Sequence, residues 1–345
     1  MSLKILFLSH AFYPNVGGIE VNAEILAQAF YEAGHEVRIV TWSKDSENKD
    51  FPYSVIRNPK KFELIQEHAW ADVIFENNPC LRLSWPNILF NKPSVIALNT
   101  WVSRNNGTIG IQDRLKQAWF KRAKGIIAVS DAIRKRCWPK AIVIGNPYRI
   151  QVFSILPDIP RKKDFVFLGR LVSDKGADLA ILALHQMRTS AADISLPQPR
   201  LTIIGSGPER GKLEKLVADL KLGDCVHFTG SLHGEKLNIC LNQHRFLLAP
   251  SIWEEPFGNV ALEGMACGCV PIVADGGGLP DAVGNAGLTF MRGNVDALVS
   301  SIKTVIQNPA LEQRLRQEAT IHLKAHHPDK VASQYLKVIE AAMIK

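Results

Sequence analysis

The feature that most constrains this chain is a regular alternation of short, β-branched apolar runs with stretches of helical periodicity. Residues 3–9 form the first run, a helical pattern follows as far as Gly34, and HEVRIVT is the second run. This order predicts a βαβ unit, and such units build parallel sheets. Further runs follow at 72–75, 94–98, 125–129 and 141–144. We therefore expect one α/β domain to close near Pro147.

The alternation breaks at residues 148–163, where YRIQVFSILPDIPRKK contains two prolines and a basic cluster. We interpret this stretch as a linker between domains. The alternation then restarts with the runs DFVFLGRL, RLTIIGSG, CVHFTGS, RFLLAPS, VPIVA and GLTF. The sequence thus predicts two doubly wound domains with a cleft between them, at residues 1–150 and 151–328. A C-terminal helix at 329–345 is expected to pack back on the first domain.

Net charge, cysteine content and the length of apolar runs limit which ligands, metals and membranes this chain can bind. The formal net charge of +8 favours anionic ligands, but no aromatic-basic repeat indicates nucleic-acid binding, and we expect no such partner. The six cysteines are scattered and suggest neither a zinc site nor a disulfide framework. No apolar run reaches the roughly 18 residues of a membrane-spanning helix. We expect a cytoplasmic protein, in contact with a membrane only peripherally.

In doubly wound sheets, ligands bind beyond the carboxyl ends of the strands, so the loops after strands are the places to search. AFYPNVGGIE places Gly17 and Gly18 at a helix start, where backbone N–H groups attract anions. GRLVSDKG places Arg170 and Lys175 on either side of a turn, a spacing that suits a diphosphate. A plain tight turn and solvated surface charges are the respective alternatives.

The glycine-rich loop GSGPERG at 205–211 follows a predicted strand and invites comparison with dinucleotide-binding loops. Such loops require an acid at the end of the next strand, to hold the ribose hydroxyls. The next strand, CVHFTGS, carries no acid at its end. A redox cofactor is therefore disfavoured, whereas a nucleotide lying against this backbone remains possible.

Two carboxylates flank a turn in EEPFGNVALEG. Glu255 precedes the turn at Pro256–Gly258, and Glu263 lies in the second turn of a helix predicted at 259–267. A carboxylate can accept hydrogen bonds from both hydroxyls of a vicinal diol, and the amides at 257–260 would face the same ligand. As alternatives, Glu255 could be a charge partner of the helix N-terminus and Glu263 a surface acid.

The stretch from Glu255 to Glu263 resembles the E-x7-E segment of the retaining glycosyltransferases of family 4. GRLVSDKG is similar to the phosphate-binding loop of that family, and YPNVGGIE to its N-terminal glycine loop. The resemblance implies a GT-B fold, with two Rossmann-like doubly wound parallel-sheet domains facing a central cleft. It also implies transfer of a hexose from a nucleotide sugar to a glycan or lipid-linked glycan in a polysaccharide-building pathway. UDP-glucose is our first choice of donor and a GDP-sugar the second.

The resemblance also implies residue roles. Glu263 would hold the ribose and Glu255 the donor sugar, while Arg170 and Lys175 would neutralise the diphosphate. The remaining donor-binding residues would be Gly17 and Gly18 at the phosphate, Gly205, Gly207 and Leu232 at the base, and Phe257, Gly258, Asn259 and Val260 at the sugar. Where many members carry a histidine near the sugar, this chain has ALNTW, so Asn99 or Thr100 would take that place. His10 is a further polar candidate.

Charge on the leaving diphosphate must be neutralised during transfer, and many transferases of other folds use a metal held by an Asp-x-Asp pair. This chain contains no such pair. Arg170 and Lys175 can supply the charge instead, so we expect neither a metal nor another cofactor. Another GT-B activity, such as a nucleotide-sugar epimerase or a phosphorylase, and a noncatalytic nucleotide-sugar-binding protein are the alternative functions.

The stretch IQDRLKQAWFKRAK at 111–124 predicts a helix with basic residues beside Trp119 and Phe120, and RKR at 134–136 adds a second basic cluster. If the aromatic side chains are exposed, this helix suits an anionic membrane surface. Burial of both side chains on one helix face is the alternative. The membrane hypothesis predicts an enzyme that acts on its acceptor at the inner face of the membrane.

Overall fold

The computed structural model describes residues 2–15, 17–44, 49–102, 110–189 and 199–344. The strands are β1 Lys4–Ser9, β2 Glu36–Thr41, β3 Ser54–Arg57, β4 Val73–Asn77, β5 Ser94–Leu98, β6 Gly125–Ala128, β7 Ile142–Val143, β8 Lys163–Leu168, β9 Leu201–Ile204, β10 Val226–Gly230, β11 His244–Ala249, β12 Val270–Ala274 and β13 Leu288–Phe290.

The helices are α1 Gly18–Glu32, α2 Lys61–Trp70, α3 Leu81–Ser84, α4 Asn87–Phe90, α5 Ile111–Phe120, α6 Asp131–Cys137, α7 Ala177–Thr189, α8 Arg210–Asp219, α9 Gly234–Asn242, α10 Asn259–Ala266, α11 Leu279–Val283, α12 Val295–Ile306, α13 Pro309–Ala325 and α14 Pro328–Ile344. A 3₁₀ turn, Ser173–Lys175, precedes α7. Among the described residues, no helix has both the length and the apolar character needed to cross a bilayer.

The chain divides into two compact units, Met1–Pro147 together with His326–Lys345, and Tyr148–Ala325. The first unit contains a parallel sheet in the order β3-β2-β1-β4-β5-β6-β7. Every residue of β4 and β5 is buried, as expected of strands with helices on both faces. The edge strand β3, which the apolar pattern did not indicate, is only partly buried.

One face of this sheet is covered by α1 and the C-terminal helix α14. The apolar stripe of α14 includes Val331, Tyr335 and Ile339, which recur at helical spacing and are buried. The ring of Tyr335 meets that of Phe75 on β4 edge to face, with centroids 5.8 Å apart. The last helix therefore completes the core of the unit that begins the chain.

The second unit contains a parallel sheet in the order β10-β9-β8-β11-β12-β13. Its central strand β8 pairs with β9 on one side and β11 on the other. Because all strands run in parallel, the loops that follow β8, β9, β11 and β12 emerge at one edge of the sheet. The predicted pair of doubly wound parallel sheets is confirmed, and this edge carries most of the predicted site residues.

Candidate functional site

The loops after β8 and β9 are pressed together. Gly205 has φ +147°, and a Cβ there would overlap the carbonyl oxygen of Gly169. A Cβ at Gly207 would overlap the carbonyl oxygen of Leu171, whose N–H donates to the Ser206 carbonyl oxygen at 2.9 Å. Close backbone approach thus accounts for both glycines without any ligand, and their predicted contact with a base stays a prediction.

The two predicted phosphate-binding cations differ in their surroundings. Arg170 is exposed and has no ion-pair partner among the described residues. Lys175 ends the 3₁₀ turn and forms an ion pair with Glu255, and its Nζ lies 5.6 Å from the centroid of the Trp253 ring. At the following residue, Gly176, φ is +70° and a Cβ would overlap the Pro250 carbonyl oxygen. The turn that carries Lys175 is therefore held directly against the segment that leads to Glu255.

Glu255 is mostly buried, with 12% of its side chain exposed. Its Oε1 accepts hydrogen bonds from Lys175 Nζ and from Ser251 Oγ, the latter at 2.8 Å. The buried position of this carboxylate is explained by its ion pair with a different loop, rather than by an interaction with a helix N-terminus. The fold thus joins two predicted site residues that are 80 positions apart.

Two of the three consecutive glycines after β12, Gly277 and Gly278, pack against the backbone around Glu255. Gly277 has φ +65°, and a Cβ there would overlap the Glu255 carbonyl oxygen. A Cβ at Gly278 would overlap the Pro256 carbonyl oxygen, and the Gly278 N–H donates to the Glu255 carbonyl oxygen at 2.7 Å. Glycine is required here because side chains would push the two loops apart.

The helix α10 begins after Gly258, whose φ of +119° strongly favours glycine. Phe257 is buried, at 3% exposure, while Asn259 and Val260 are half-buried. Glu263 lies in the second turn with only 16% of its side chain exposed. It is therefore not the solvated surface acid that was the alternative to a binding role.

The one partner of Glu263 among the described residues is Arg149, whose Nη2 lies 3.4 Å from Oε1. Burial raises the pKa of Glu263 to about 7, and the Arg149 guanidinium opposes that rise. Arg149 was missed by the sequence analysis, which placed it in a linker. No local pattern indicates its role, since Glu263 lies 114 positions away.

Two hydroxyls lie beside the predicted base-binding backbone. The Oγ atoms of Ser206 and Ser231 are 2.8 Å apart, and Leu232, the next residue, is half-buried. The sequence analysis named the neighbouring glycines and Leu232 but neither serine. Serines in post-strand loops are common, so only the pairing in three dimensions distinguishes these two.

In the first unit, Gly17 and Gly18 begin α1 as predicted, with Gly17 as the N-cap in extended conformation. The neighbouring Val16 lies outside the described residues. The carboxylate of Glu20 occupies the space that a Cβ on Gly17 would fill. An anion at this helix start would therefore meet the Glu20 carboxylate as well as the amides.

Two predicted sugar contacts, Asn99 and Thr100, follow β5, and they differ in whether their side chains are already hydrogen-bonded within the protein. Asn99 is 7% exposed, and its Nδ2 donates to Asn77 Oδ1 at 2.6 Å. Asn77 in turn donates to Ser9 Oγ at 3.2 Å, so the Asn99 side chain belongs to an internal network. Thr100 is half-buried and has no hydrogen bond within the described part of the chain. Thr100 is thus the more available of the two predicted polar groups.

The helix α5 ends at Phe120 and does not expose its aromatic residues. Trp119 is 8% exposed and Phe120 is 1% exposed, which confirms the alternative that both are core residues and removes them from the membrane hypothesis. The Trp119 Nε1–H donates to Oε1 of Glu76, a fully buried acid at the end of β4, at 2.7 Å. Burial raises the pKa of Glu76 to about 7. Ile111 and Leu115 are the exposed large apolar residues of this helix.

His10 follows β1 and is exposed, with its Nδ1 3.9 Å from Cys80 Sγ. Within the described ranges, no cluster of three or more His, Cys, Asp or Glu residues could hold a metal ion.

Known proteins resemble this chain in sequence and in fold. Residues 153–322 match the family described as Glycosyl transferases group 1. The chain is 25% identical to the phosphatidylinositol N-acetylglucosaminyltransferase gpi3 subunit of Schizosaccharomyces pombe, over 91% of this chain and 75% of that protein. It is 31% identical to glycogen synthase of Mycobacterium tuberculosis, over 64% of this chain and 54% of that protein.

Among solved structures, HepE from Anabaena in complex with UDP and glucose matches with a TM-score of 0.80 at 20% identity, covering 98% of this chain and 100% of HepE. A sucrose-phosphate synthase from Thermosynechococcus elongatus matches with a TM-score of 0.78 at 21% identity, covering 98% of each chain. These likenesses show the GT-B fold.

Proposed function

We propose that this glycosyltransferase, whose residues 153–322 match the family Glycosyl transferases group 1, transfers a hexose from a nucleoside diphosphate sugar to a glycan or lipid-linked glycan. The observation that carries the proposal is the pair of carboxylates around the start of α10. Glu255 is paired with the cationic loop after β8, whereas Glu263 is mostly buried and keeps one oxygen without a partner in the described ranges. This arrangement suits a ligand that carries both phosphate and vicinal hydroxyls.

UDP-glucose is the proposed donor. The free acceptor capacity of Glu263 supports its assignment to the ribose hydroxyls, because a carboxylate can accept both. HepE, which shares the fold, has been solved with UDP and glucose, and this supports UDP as the nucleotide. The backbone at Gly205, Gly207 and Leu232 would receive the base.

The proposed reaction is metal-independent and retains the anomeric configuration, as the family 4 resemblance implies. The bond between the sugar C1 and the diphosphate oxygen breaks, and the acceptor oxygen forms a bond to C1 on the same face. The acceptor proton passes to the departing phosphate. Lys175 and Arg170 would stabilise the charge that grows on the leaving group, and the other residues would chiefly position the two substrates.

The donor assignment is tested by thermal unfolding with UDP, GDP, ADP and their glucose conjugates, followed by turnover measurements. We expect UDP and UDP-glucose to raise the unfolding temperature, and release of UDP to require added acceptor. Turnover should persist in EDTA. Release of UDP at the same rate without acceptor would instead favour an epimerase or a hydrolytic side reaction, and turnover that vanishes in chelator would contradict the metal-free scheme.

A lipid-linked acceptor, met at the inner face of a membrane, is the proposed context. The exposed apolar residues Ile111 and Leu115 of α5, with the exposed cations Arg114, Lys121 and Arg122 nearby in the chain, support a peripheral contact. Sedimentation with anionic and neutral liposomes at low salt tests it. We expect binding to anionic vesicles, weakened by Leu115→Glu. Equal, negligible binding to both would leave a non-membrane acceptor as the better account.

A further inference from the structure

Arg149 is placed at the predicted ribose-binding carboxylate by contacts on both sides of its guanidinium. One nitrogen lies 3.4 Å from Glu263 Oε1, and the guanidinium carbon lies 5.1 Å from the centroid of the buried Phe153 ring. The carbonyl oxygen of Arg149 accepts the N–H groups of Val152 and Phe153, at 3.1 and 2.9 Å. A tight turn therefore fixes the backbone that carries this side chain.

Arg149 still has donor capacity in this position. Its Nε is buried and has no hydrogen-bond partner in the part of the chain that the structure describes. The separation of 3.4 Å from Glu263 is also longer than the roughly 2.7–2.9 Å of a strong charge-assisted hydrogen bond. The pair therefore leaves hydrogen-bonding capacity on both sides, including a buried Nε, whereas most buried polar atoms are hydrogen-bonded.

The other ionisable groups near Glu263 are committed elsewhere. Directly after α10, the Cys267 thiol donates to Asn238 Oδ1. On the neighbouring helix α13, His322 Nε2 lies 3.0 Å from the Ala282 carbonyl oxygen, and Arg316 is paired with Glu312. On the adjacent strand β11, His244 is hydrogen-bonded to Thr202 and to the Cys240 carbonyl oxygen, and Arg245 is paired with Glu312. On helix α11, Asp281 is also engaged in an interaction. Within the described ranges, Arg149 is the one charged group that favours the ionised form of Glu263.

The ionisation of Glu263 matters because a diol needs acceptors. An ionised carboxylate accepts hydrogen bonds with both oxygens, whereas a protonated carboxyl has converted one of them into a donor. Desolvation favours the protonated form, and a nearby guanidinium favours the ionised form. The balance between burial and Arg149 therefore decides whether this side chain can bind two ribose hydroxyls at neutral pH.

We infer that Arg149 is a positioning residue for the nucleotide sugar, which holds Glu263 ionised and oriented for the ribose and so sets the pH range in which the donor binds. The inference rests on the proposed function, since it takes Glu263 as the ribose acceptor. A purely structural ion pair would change stability without changing the pH dependence of binding.

The test is calorimetric titration of UDP-glucose, without acceptor, into the wild type and into Arg149→Met and Arg149→Lys variants from pH 5.5 to 9. UDP-glucose is a suitable probe because its diphosphate diester does not titrate in this range. For the wild type, we expect affinity to fall about tenfold per pH unit below a midpoint near 7. In Arg149→Met, the midpoint should rise by at least one unit and affinity at pH 7 should fall at least about fivefold. Arg149→Lys, which keeps the charge, should lie closer to the wild type.

Arg245→Met is the matched control, because it breaks another partly buried Arg–Glu pair, with Glu312, and should leave the midpoint unchanged. If Arg149→Met unfolds, the wild-type profile still decides the question, because an affinity that does not change between pH 5.5 and 9 overturns the inference. An unchanged midpoint in folded Arg149→Met that still binds the donor overturns the inference and leaves the proposed function standing. Absence of UDP-glucose binding by the wild type at every pH overturns the proposed donor, and the inference with it.

Discussion

At the scale of single residues, the two acids of the E-x7-E segment have opposite environments. Glu255 is neutralised by Lys175 and hydrogen-bonded to Ser251, while Glu263 is desolvated beside one loosely placed guanidinium. Two glutamates, eight positions apart, are therefore suited to different roles in the proposed donor site. Substitutions of the two acids should accordingly have different effects on donor binding.

Glu263→Gln should weaken binding of UDP itself by roughly 1.5–3 kcal/mol, because a charged hydrogen bond is lost. Glu255→Gln should leave UDP affinity unchanged and reduce the affinity or turnover of UDP-glucose. Calorimetry with UDP and UDP-glucose measures both effects. The neighbouring Glu254, which pairs with Arg292 at 3.0 Å, provides the control Glu254→Gln. Equal UDP affinity in the wild type and the Glu263 variant would remove the ribose assignment.

Lys175→Met and Arg170→Met should lower kcat more than they weaken donor binding, since charge on the leaving diphosphate grows during bond cleavage. Only the Lys175 change also removes the ion-pair partner of Glu255. Because Glu255 is the proposed contact of the donor sugar, we expect only the Lys175 variant to lose the difference in affinity between UDP-glucose and UDP. Steady-state kinetics and donor titrations separate these effects, and a raised KM with unchanged kcat would contradict the assignment.

At the scale of elements, the loops after β11 and β12 form one structural unit because glycine backbone lies where side chains would collide. Gly277→Ala should destabilise the protein by about 1–3 kcal/mol, since alanine must adopt a positive φ and its Cβ overlaps the Glu255 carbonyl oxygen. Donor affinity should fall as well, because Glu255 moves with its backbone. Urea unfolding and UDP-glucose titration measure the two effects.

Gly223→Ala is the matched control for that change, because a Cβ at Gly223 meets nothing within 4 Å. We expect its stability to lie within about 0.5 kcal/mol of the wild type, as for most surface substitutions. Similar effects of the two alanine variants would show that loop contact is not what requires Gly277.

At the scale of the whole molecule, the buried carboxyls make stability depend on pH. Burial raises the pKa of Glu76 to about 7 from an ordinary value of 4.5, so the fold favours its protonated form. The stabilisation is complete below about pH 4.5 and is lost as pH rises through 7. Glu263 contributes in the same direction. The free energy of unfolding should therefore decline between these values, apart from opposing contributions of other groups.

Glu76→Gln should reduce this decline, because glutamine has the shape of the carboxyl and does not ionise. Urea unfolding at pH 5, 6, 7 and 8 provides the comparison, with the wild type measured in the same buffers. We expect the two proteins to differ most at pH 8, where the wild type holds a buried charge. Parallel pH profiles would show that Glu76 does not titrate over this range in the folded protein.

The sequence by itself determined the two parallel sheets, the glycines at the start of α1 and the helix that begins at Asn259. These features depend on hydrophobic period and turn chemistry, which a few consecutive residues contain. The same local information supported the choice of Glu255, Glu263, Arg170 and Lys175, because the E-x7-E segment and the cationic loop are each contiguous. It did not indicate β3, a short, partly buried edge strand.

Only the tertiary structure decided which charges meet. Lys175 and Glu255 are 80 positions apart, and Arg149 and Glu263 are 114 apart, so their pairing depends on the order of strands in the sheet and on how the loops pack. It also decided that Trp119 turns inward to Glu76, although the basic residues around it suggested an exposed helix. A side chain's partner and its degree of desolvation are properties of the packed chain, and the pKa of a buried acid follows from both.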